Sequence, residues 1–251
     1  EVKTLAGKNK EGLFEEKITP FLKEKLEDLR NTYGSDSSDY LGVAKQYLVS
    51  SLESIPQAEA NRRHWEADLV EVQSSPVRGI ERLYEHSVVI EPTMICAAHC
   101  RYCLRGNYDS FTLSEDELRN IALYVGSTSL KSVSEVLITG GDPLLVPKRL
   151  DYLLNCLTEY APNVKVFRIA TRLPTQEPLR VNQNVIRIFA SHIDQIRIEL
   201  ATQINHPSEF FTESVTAFRK ISNLGIRTYS QNVLLKGVND DVQTLITLYN
   251  K

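Results

Sequence analysis

The sequence predicts an α/β protein in which parallel β-strands alternate with helical crossovers. After residue 86, short apolar and β-branched runs recur, amphipathic stretches separate them, and the alternation repeats five times. A barrel or partial barrel and an open doubly wound sheet both fit, and both place active residues at the C-terminal ends of the strands. The predicted strands are 87–92, 134–139, 165–170, 195–200 and 226–235, and the predicted helices are 114–126, 147–160, 177–191, 206–225 and 239–251.

Residues 1–86 are predicted to form an N-terminal helical extension, and residues 87–251 the α/β domain. Within 15–33, one helical face carries apolar side chains and Gly34 follows as a stop, and a second amphipathic helix is predicted at 40–53. The apolar positions of the first helix are Ile18, Phe21, Leu22, Leu26 and Leu29. We interpret these helices as a cap on the larger domain.

Composition and charge exclude several classes of protein. The chain is 42% hydrophobic and 24% charged with a net charge of -3, which indicates a globular protein without a nucleic-acid or acidic-membrane partner. No run of 18 apolar residues marks a membrane span, and the polar N-terminus is not a secretory signal. Four cysteines do not make a disulfide scaffold, so a reduced cytoplasmic location is expected.

The stretch MICAAHCRYCLRGNY, at residues 94–108, follows the first predicted strand and carries Cys96, Cys100 and Cys103. The C-x3-C-x2-C spacing lets thiolates converge on one centre, because the loop can curl around it. Three interpretations are open: incidental buried cysteines, a structural zinc site, and a [4Fe–4S] cluster with three thiolate ligands and one open iron.

The clustering of three thiols within eight residues argues against incidental cysteines. A structural zinc site usually takes four ligands, and only His99 or Cys156 is available as the fourth. Cys156 lies within an amphipathic helix, where a small core residue is the simpler interpretation. An iron–sulfur cluster explains the absence of a fourth thiol, since an open iron can bind a substrate or cofactor.

With Tyr102 just before the last cysteine, the motif resembles that of the radical S-adenosylmethionine (radical SAM) superfamily. The resemblance implies a partial (β/α)6 TIM-like barrel of the radical SAM type and a [4Fe–4S] cluster whose open iron binds SAM. An electron from the cluster then releases a 5'-deoxyadenosyl radical. The resemblance makes Cys96, Cys100 and Cys103 the expected cluster ligands, and an external electron donor the expected partner.

A second motif, VLITGGDPLL at residues 136–145, closes the second predicted strand with Gly140, Gly141 and Asp142. By itself, Gly-Gly-Asp-Pro fits a tight turn as well as a site where the backbone approaches a ligand. One βα unit after the cysteine loop, it resembles the superfamily's Gly-Gly-acid motif, which holds the SAM amino group. We therefore expect these three residues to bind SAM.

Further segments resemble the lysine 2,3-aminomutase family, in order along residues 17–251. They are KITPF, SPVRGIERLY, CRYCLR, ITGGDPLLV, RIATR (168–172), INHPSE (204–209) and SQNVLLKGVND (230–240). The resemblance implies a radical SAM isomerase that moves an amino acid's α-amino group to the β-carbon with pyridoxal phosphate (PLP). Lysine is the first substrate to consider.

The same resemblance implies roles for single residues. Arg105 would bind the substrate carboxylate, or else be a surface or cluster-neutralising charge. Asp240 would face the side-chain ammonium of a lysine-like substrate, or else cap a helix. Arg82 would bind the PLP phosphate, and Arg168 and Gln231 would also bind cofactors.

The sequence departs from the family pattern in two places. The family binds PLP through a lysine in a glycine-rich segment after the fifth βα unit, so we expect that segment beyond Lys251. The loop GNYDSFT lacks the family's further arginines, so arginine, glutamate or a lysine side chain of elongation factor P stay candidate substrates. The alternatives are a radical SAM reaction without PLP and a structural-zinc or redox binding module. The protein is expected to form a homo-oligomer and to act on a small-molecule amino acid.

Overall fold

The computed structural model describes residues 15–50, 78–82, 84–103 and 110–251. The strands are β1 (Ile80–Glu81), β2 (Ser87–Thr93), β3 (Glu135–Gly140), β4 (Val166–Ala170), β5 (Arg197–Thr202) and β6 (Arg227–Ser230). The helices are α1 (Pro20–Tyr33), α2 (Ser38–Tyr47), α3 (Glu115–Val125), α4 (Pro147–Tyr160), α5 (Leu173–Gln176), α6 (Gln183–His192), α7 (Thr212–Ser222) and α8 (Val242–Tyr249). Short 3-10 turns cover Thr128–Leu130, Pro143–Leu145, Pro178–Arg180 and Pro207–Glu209.

The six strands form one sheet whose order in space, β1 to β6, is also their order along the chain. β1 pairs with β2 in the antiparallel sense, and β2 to β6 run parallel. A doubly wound sheet reverses its strand order at a switch point, whereas sequential order keeps the crossovers moving in one direction, as in a barrel. The described strands show no reversal, and the sheet is open, so the predicted partial TIM-like barrel is confirmed.

The core lies between the sheet and helices α3, α4, α6 and α7. Val136 and Ile138 of β3 and Phe167 and Ile169 of β4 point to this side and are fully buried, as the alternation of side chains along a strand requires. Cys156 of α4 belongs to the same apolar cluster, which confirms its prediction as a core residue. No helix in the described ranges is long and apolar enough to cross a bilayer.

The helices α1 and α2 form a second, smaller apolar cluster. α1 begins where the Thr19 side chain accepts a hydrogen bond from the N–H of Leu22 and Pro20 occupies the first turn. The buried members of this cluster are Leu22, Leu26, Val43, Ala44, Tyr47 and, from the cysteine loop, Ala98. The cysteine loop therefore packs directly on the N-terminal helices. β1, which lies within the range predicted as the helical extension, pairs with the sheet instead.

Two kinds of predicted boundary differ from the structure. The predicted strand 226–235 ends early, at Ser230, because the Asn239 side chain folds the following residues into a turn. Its Oδ1 accepts from the N–H of Leu235 at 2.7 Å and its Nδ2 donates to the Val233 carbonyl at 2.9 Å. The helices predicted from 177 and 206 begin later, as α6 and α7, because 3-10 turns that start at Pro178 and Pro207 precede them.

Candidate metal centre

Three cysteine thiols lie at the carboxyl edge of the sheet. Cys96, Cys100 and Cys103 follow the C-terminal end of β2, and all three are partly buried thiols outside any disulfide. The N–H of Cys103 donates to the Cys100 carbonyl at 3.0 Å, which closes a turn between these two residues. This edge is where α/β folds with parallel sheets place their active residues.

The N-terminal segment holds the backbone of the cysteine loop at several points. Lys17 Nζ donates to the Cys96 carbonyl at 2.6 Å, and the Lys17 carbonyl accepts from the N–H of His99 at 2.8 Å. The Gln46 carbonyl of α2 accepts from the N–H of Arg101 at 2.8 Å. His99 Nδ1 lies 2.8 Å from the Glu15 carbonyl, an acceptor, so this nitrogen is the donor. The predicted helical extension is therefore part of the wall of the site.

The glycine pair that ends β3 packs against the start of the cysteine loop. Gly141 N–H donates to the Thr93 carbonyl at 2.7 Å, and Asp142 N–H donates to the Ile95 carbonyl at 2.8 Å. A Cβ added to Gly140 would lie 2.4 Å from the Thr93 carbonyl oxygen, and one added to Gly141 would lie 2.2 Å from the Ile95 carbonyl oxygen. Only glycine allows this close approach. The Gly-Gly-Asp motif and the cysteine loop, which were predicted separately, are therefore in direct contact.

Asp142 joins the end of β3 to the segment after β4. Its carboxylate accepts hydrogen bonds from the Thr171 hydroxyl and from the N–H groups of Leu144, Arg172 and Leu173, at 2.8 to 3.0 Å. The side chain is nearly fully buried, and burial raises its pKa to about 6 against these hydrogen bonds. Protein donors thus occupy this carboxylate, and the predicted SAM contact of Gly140, Gly141 and Asp142 stays a prediction.

Arg172 is a site residue that the sequence analysis missed. It follows the end of β4, is 8% exposed, and donates from Nη1 to the Cys100 sulfur at 3.0 Å. Its Nη2 pairs with a Glu209 carboxylate oxygen at 2.5 Å. The signal was present, because RIATR contains two arginines and Arg172 is the one that lies after the strand, where functional residues gather.

Tyr102 ties the cysteine loop to the ends of two further strands. Its hydroxyl accepts from Arg172 Nη1 at 2.5 Å and from Asn205 Nδ2 at 2.8 Å, and it donates to Gln203 Oε1 at 3.0 Å. Burial is the main cause that raises the pKa of this phenol, so Tyr102 is neutral and keeps its proton to donate. The residue before the third cysteine is thereby fixed in place.

Two predicted cofactor residues are not brought to the cysteines. Arg168 projects from the middle of β4 on the face opposite the helices, where it pairs with Glu135 at 2.7 Å and Glu199 at 2.8 Å. Arg82 lies before β2 and donates to the Glu85 carbonyl at 3.0 Å and the Ser132 hydroxyl at 3.1 Å. Since Ser132 precedes β3, Arg82 lies at the end of the strands opposite to the cysteine loop.

The remaining predicted site residues are Gln231, Asp240 and Arg105. Gln231 follows β6 at the same edge as the cysteines, and its N–H donates to the Thr202 carbonyl at 2.7 Å. Asp240 is exposed and accepts from the N–H of Gly237 at 2.7 Å, and the N-cap of α8 is Asp241 rather than Asp240. Arg105 lies outside the described residues. His206 caps the turn Pro207–Glu209.

The three sulfur atoms do not form a ready set of metal ligands. Within the described ranges, no three His, Cys, Asp or Glu side chains are placed to hold a metal ion together. Whether these residues suit an iron–sulfur cluster therefore depends on the chemistry of the thiols and of the groups around them.

That chemistry fits a cluster in two respects. Burial first, and then the charge of Asp142 and of the other two cysteines, raise the pKa of Cys96. A cationic metal centre offsets this cost, because cysteine binds metals as the thiolate. In addition, Arg172, whose Nη1 donates to the Cys100 sulfur, has in Nε a buried donor without an acceptor among the described residues.

Comparison with known proteins finds a matching family profile and several curated relatives. The radical SAM superfamily profile matches residues 90–248. The chain is 32% identical to the L-lysine 2,3-aminomutase of Clostridium subterminale, over 83% of this chain and 49% of the relative. It is 32% identical to that of Methanococcus maripaludis over 91% of this chain and 50% of the relative, and 33% identical to that of Escherichia coli over 73% and 53%. The chain thus spans about half the length of these curated relatives.

Proposed function

Because this chain belongs to the radical SAM superfamily, we propose that it binds a [4Fe–4S] cluster and SAM and acts as a PLP-dependent amino acid 2,3-aminomutase. Lysine, free or protein-bound, is the first substrate we propose, since the relatives are L-lysine 2,3-aminomutases. The observation that carries the proposal is the packing of the Gly140–Asp142 turn against the loop of three cysteines, at the carboxyl edge of a parallel sheet.

The chain's own residues prepare this site in separate ways. Cys96, Cys100 and Cys103 would be the thiolate ligands, which leaves one iron of a cluster open. When bound, such a cluster would supply the open iron that binds SAM and the electron that cleaves it. Gly140 and Gly141 carry no side chain, so the backbone of the turn lies against the cysteine loop. Nearby, the buried Asp142 carboxylate fixes the loops after β3 and β4 relative to each other.

The assignment of PLP and substrate residues rests on the resemblance to aminomutases. PLP, when bound, supplies the conjugation that lets an amino group migrate between adjacent carbons. We propose that Arg105 binds the substrate carboxylate and that Asp240, exposed and acidic, receives the side-chain ammonium of lysine. Gln231 lies at the cysteine edge, which supports its role beside a cofactor. The positions of Arg82 and Arg168 give their proposed cofactor contacts no geometric support.

The cluster proposal is tested by anaerobic reconstitution with iron and sulfide. We expect about four iron ions per chain, the content of one [4Fe–4S] cluster, and release of 5'-deoxyadenosine from SAM when dithionite is added. Single Cys→Ser changes at Cys96, Cys100 or Cys103 should abolish both. Cys156→Ser is the matched control, because its thiol lies in the apolar core, and it should keep its iron. A colourless protein that binds zinc would refute the cluster.

The aminomutase proposal is tested with candidate substrates in the presence of SAM and PLP. Lysine, arginine, glutamate and lysine-bearing elongation factor P are offered in turn, and β-amino products are identified by NMR or mass spectrometry. We expect a β-amino product from lysine, and a higher KM for lysine in Asp240→Asn with little change in kcat. Cleavage of SAM without PLP binding or any β-amino product would instead support another radical SAM reaction.

A further inference from the structure

Beyond the three thiols, one buried cation holds the centre of the site. We infer that Arg172 is a positioning residue that fixes Cys100 and raises the reduction potential of the cluster bound there. This inference deepens the proposed function and rests on it, because it needs a cluster on the cysteine loop. In this inference Arg172 acts through Cys100 and is not itself a cluster ligand.

The guanidinium of Arg172 is held by partners on several elements. Nη1 donates to the Cys100 sulfur at 3.0 Å and to the Tyr102 hydroxyl at 2.5 Å. Nη2 donates to Glu209 Oε1 at 2.5 Å and to Gln46 Oε1 of α2 at 3.1 Å. These partners come from the cysteine loop, the segment after β5 and the N-terminal helices. These contacts fix the orientation of the planar guanidinium, and a precise contact to one sulfur requires such a fixed orientation.

Aromatic rings close the remaining sides of this cation. The guanidinium carbon lies 5.1 Å from the centre of the Tyr47 ring and 5.7 Å from the centre of the Tyr102 ring. Tyr47 is fully buried in the cluster of α1 and α2. Rings at these distances stabilise a cation and exclude water from it. The N–H···S contact therefore lies in a poorly screened environment, where a charge acts more strongly than it does in water.

The Cys100 sulfur has a second side-chain neighbour besides Arg172. Gln176 Nε2 is a second donor, 3.5 Å from the same sulfur, so Cys100 has two side-chain N–H neighbours. Hydrogen bonds to cluster sulfurs and nearby positive charge stabilise the reduced state, which carries one more electron than the oxidised state. Loss of Arg172 should therefore make the cluster harder to reduce.

Variants that separate charge from hydrogen bonding test this inference. Arg172→Met alone leaves Glu209 buried without its partner, so the main variant is the double change Arg172→Met with Glu209→Gln, which removes both charges of the buried pair. Gln176→Leu removes the second donor and leaves the pair intact. Arg180→Met is the matched control, since this arginine pairs with Glu177 on the surface and its side chain is 54% exposed.

The readouts are iron per chain and an EPR-monitored redox titration of the reconstituted protein, without substrate. In the double variant, we expect the ratio of reduced to oxidised cluster at a fixed potential to fall about tenfold, a downward shift of about 59 mV for one electron. Arg172→Lys keeps the charge, so its ratio should fall less. Gln176→Leu should lower the ratio in the same direction and by a smaller factor, and Arg180→Met should match the wild type.

The outcomes distinguish this inference from the proposed function. If the wild-type protein takes up no cluster, the proposed function is refuted. If the wild type holds a cluster but the double variant and Gln176→Leu both keep its midpoint and iron content, the role of Arg172 is refuted and the cluster stands. If the double variant does not fold, the midpoints of Arg172→Lys and Gln176→Leu decide: wild-type values in both refute the inference.

Discussion

Gly140→Ala tests whether the contact between the β3 turn and the cysteine loop is as close as the structure shows. Gly140 has a φ of 97°, in the left-handed region, and an added Cβ would lie 2.4 Å from the Thr93 carbonyl oxygen. That oxygen also accepts the Gly141 N–H at 2.7 Å. Since the clashing atom belongs to the backbone, no side-chain rotation relieves the contact. Alanine must move either the turn or the last residue of β2.

The size of the effect follows from three contributions. A positive φ costs an L-residue about 1–2 kcal/mol, and overpacking against fixed atoms costs about 1–3 kcal/mol. Alanine also lowers the entropy of the unfolded chain, which returns about 0.4–1 kcal/mol. We therefore expect Gly140→Ala to lower the free energy of unfolding by about 2–4 kcal/mol.

Gly225→Ala isolates the backbone contribution from the clash. Gly225 has a φ of 80°, yet a Cβ there would meet nothing within 4 Å. We expect this control to lose only about 1 kcal/mol, the cost of the left-handed backbone less the unfolded-state gain. The assay is urea unfolding followed by circular dichroism, with iron per chain after reconstitution as the second readout. Equal midpoints for the two variants, or full iron content in Gly140→Ala, would show that the turn and the cysteine loop do not approach so closely.

Three further predictions concern buried groups. The pKa of Asp142 is raised from 3.8 to about 6, so its stabilising contribution is complete well below pH 3.8 and is lost as pH rises through 6. In urea unfolding, the stability advantage of wild type over Asp142→Asn should therefore shrink by about 2 kcal/mol from pH 4 to 7, and a constant difference would contradict this. Tyr102→Phe removes an acceptor of buried Arg172 and should lower unfolding free energy by about 1–3 kcal/mol, whereas wild-type stability would argue against the network. Gly42→Ala places a Cβ 2.4 Å from the His206 ring and should lower the thermal midpoint; an unchanged midpoint would mean that the ring moves freely.

The parallel strands β2 to β6 were predictable because each is a short apolar or β-branched run bounded by turn residues. β3 differs by one residue at each end from the predicted 134–139, and α4 matches 147–160 at both ends. The length of β6 was overestimated, because the residue that folds the chain after this strand is Asn239. Its side chain bonds to Val233 and Leu235, and no residue within the predicted strand signals this turn. Boundaries set by a side chain several residues away are not encoded in local periodicity.

The site was predictable to the extent that its residues share a motif. The cysteines and the Gly-Gly-Asp turn are contiguous strings, and parallel strands bring their ends to one edge. Arg172 lies in a string that was noticed, but Arg168 was chosen from it, although Arg168 is two residues before the strand end and pairs with Glu135 and Glu199. Gln46 lies 126 residues from Arg172 in sequence, so no local pattern reveals that they meet.

The hydrogen bonds of the N-terminal segment couple its docking to the state of the cysteine loop. Lys17 and Gln46 bond to the backbone of this loop, and Ala98 packs with the apolar residues of α1 and α2. A cluster that binds the folded cysteine loop more tightly than the unfolded loop would stabilise, by mass action, every contact that the folded loop makes. The coupling is reciprocal, so docked helices must raise the affinity for the cluster by the same factor. We therefore predict that the segment at 15–50 strengthens binding of the proposed cluster, although it supplies no thiol.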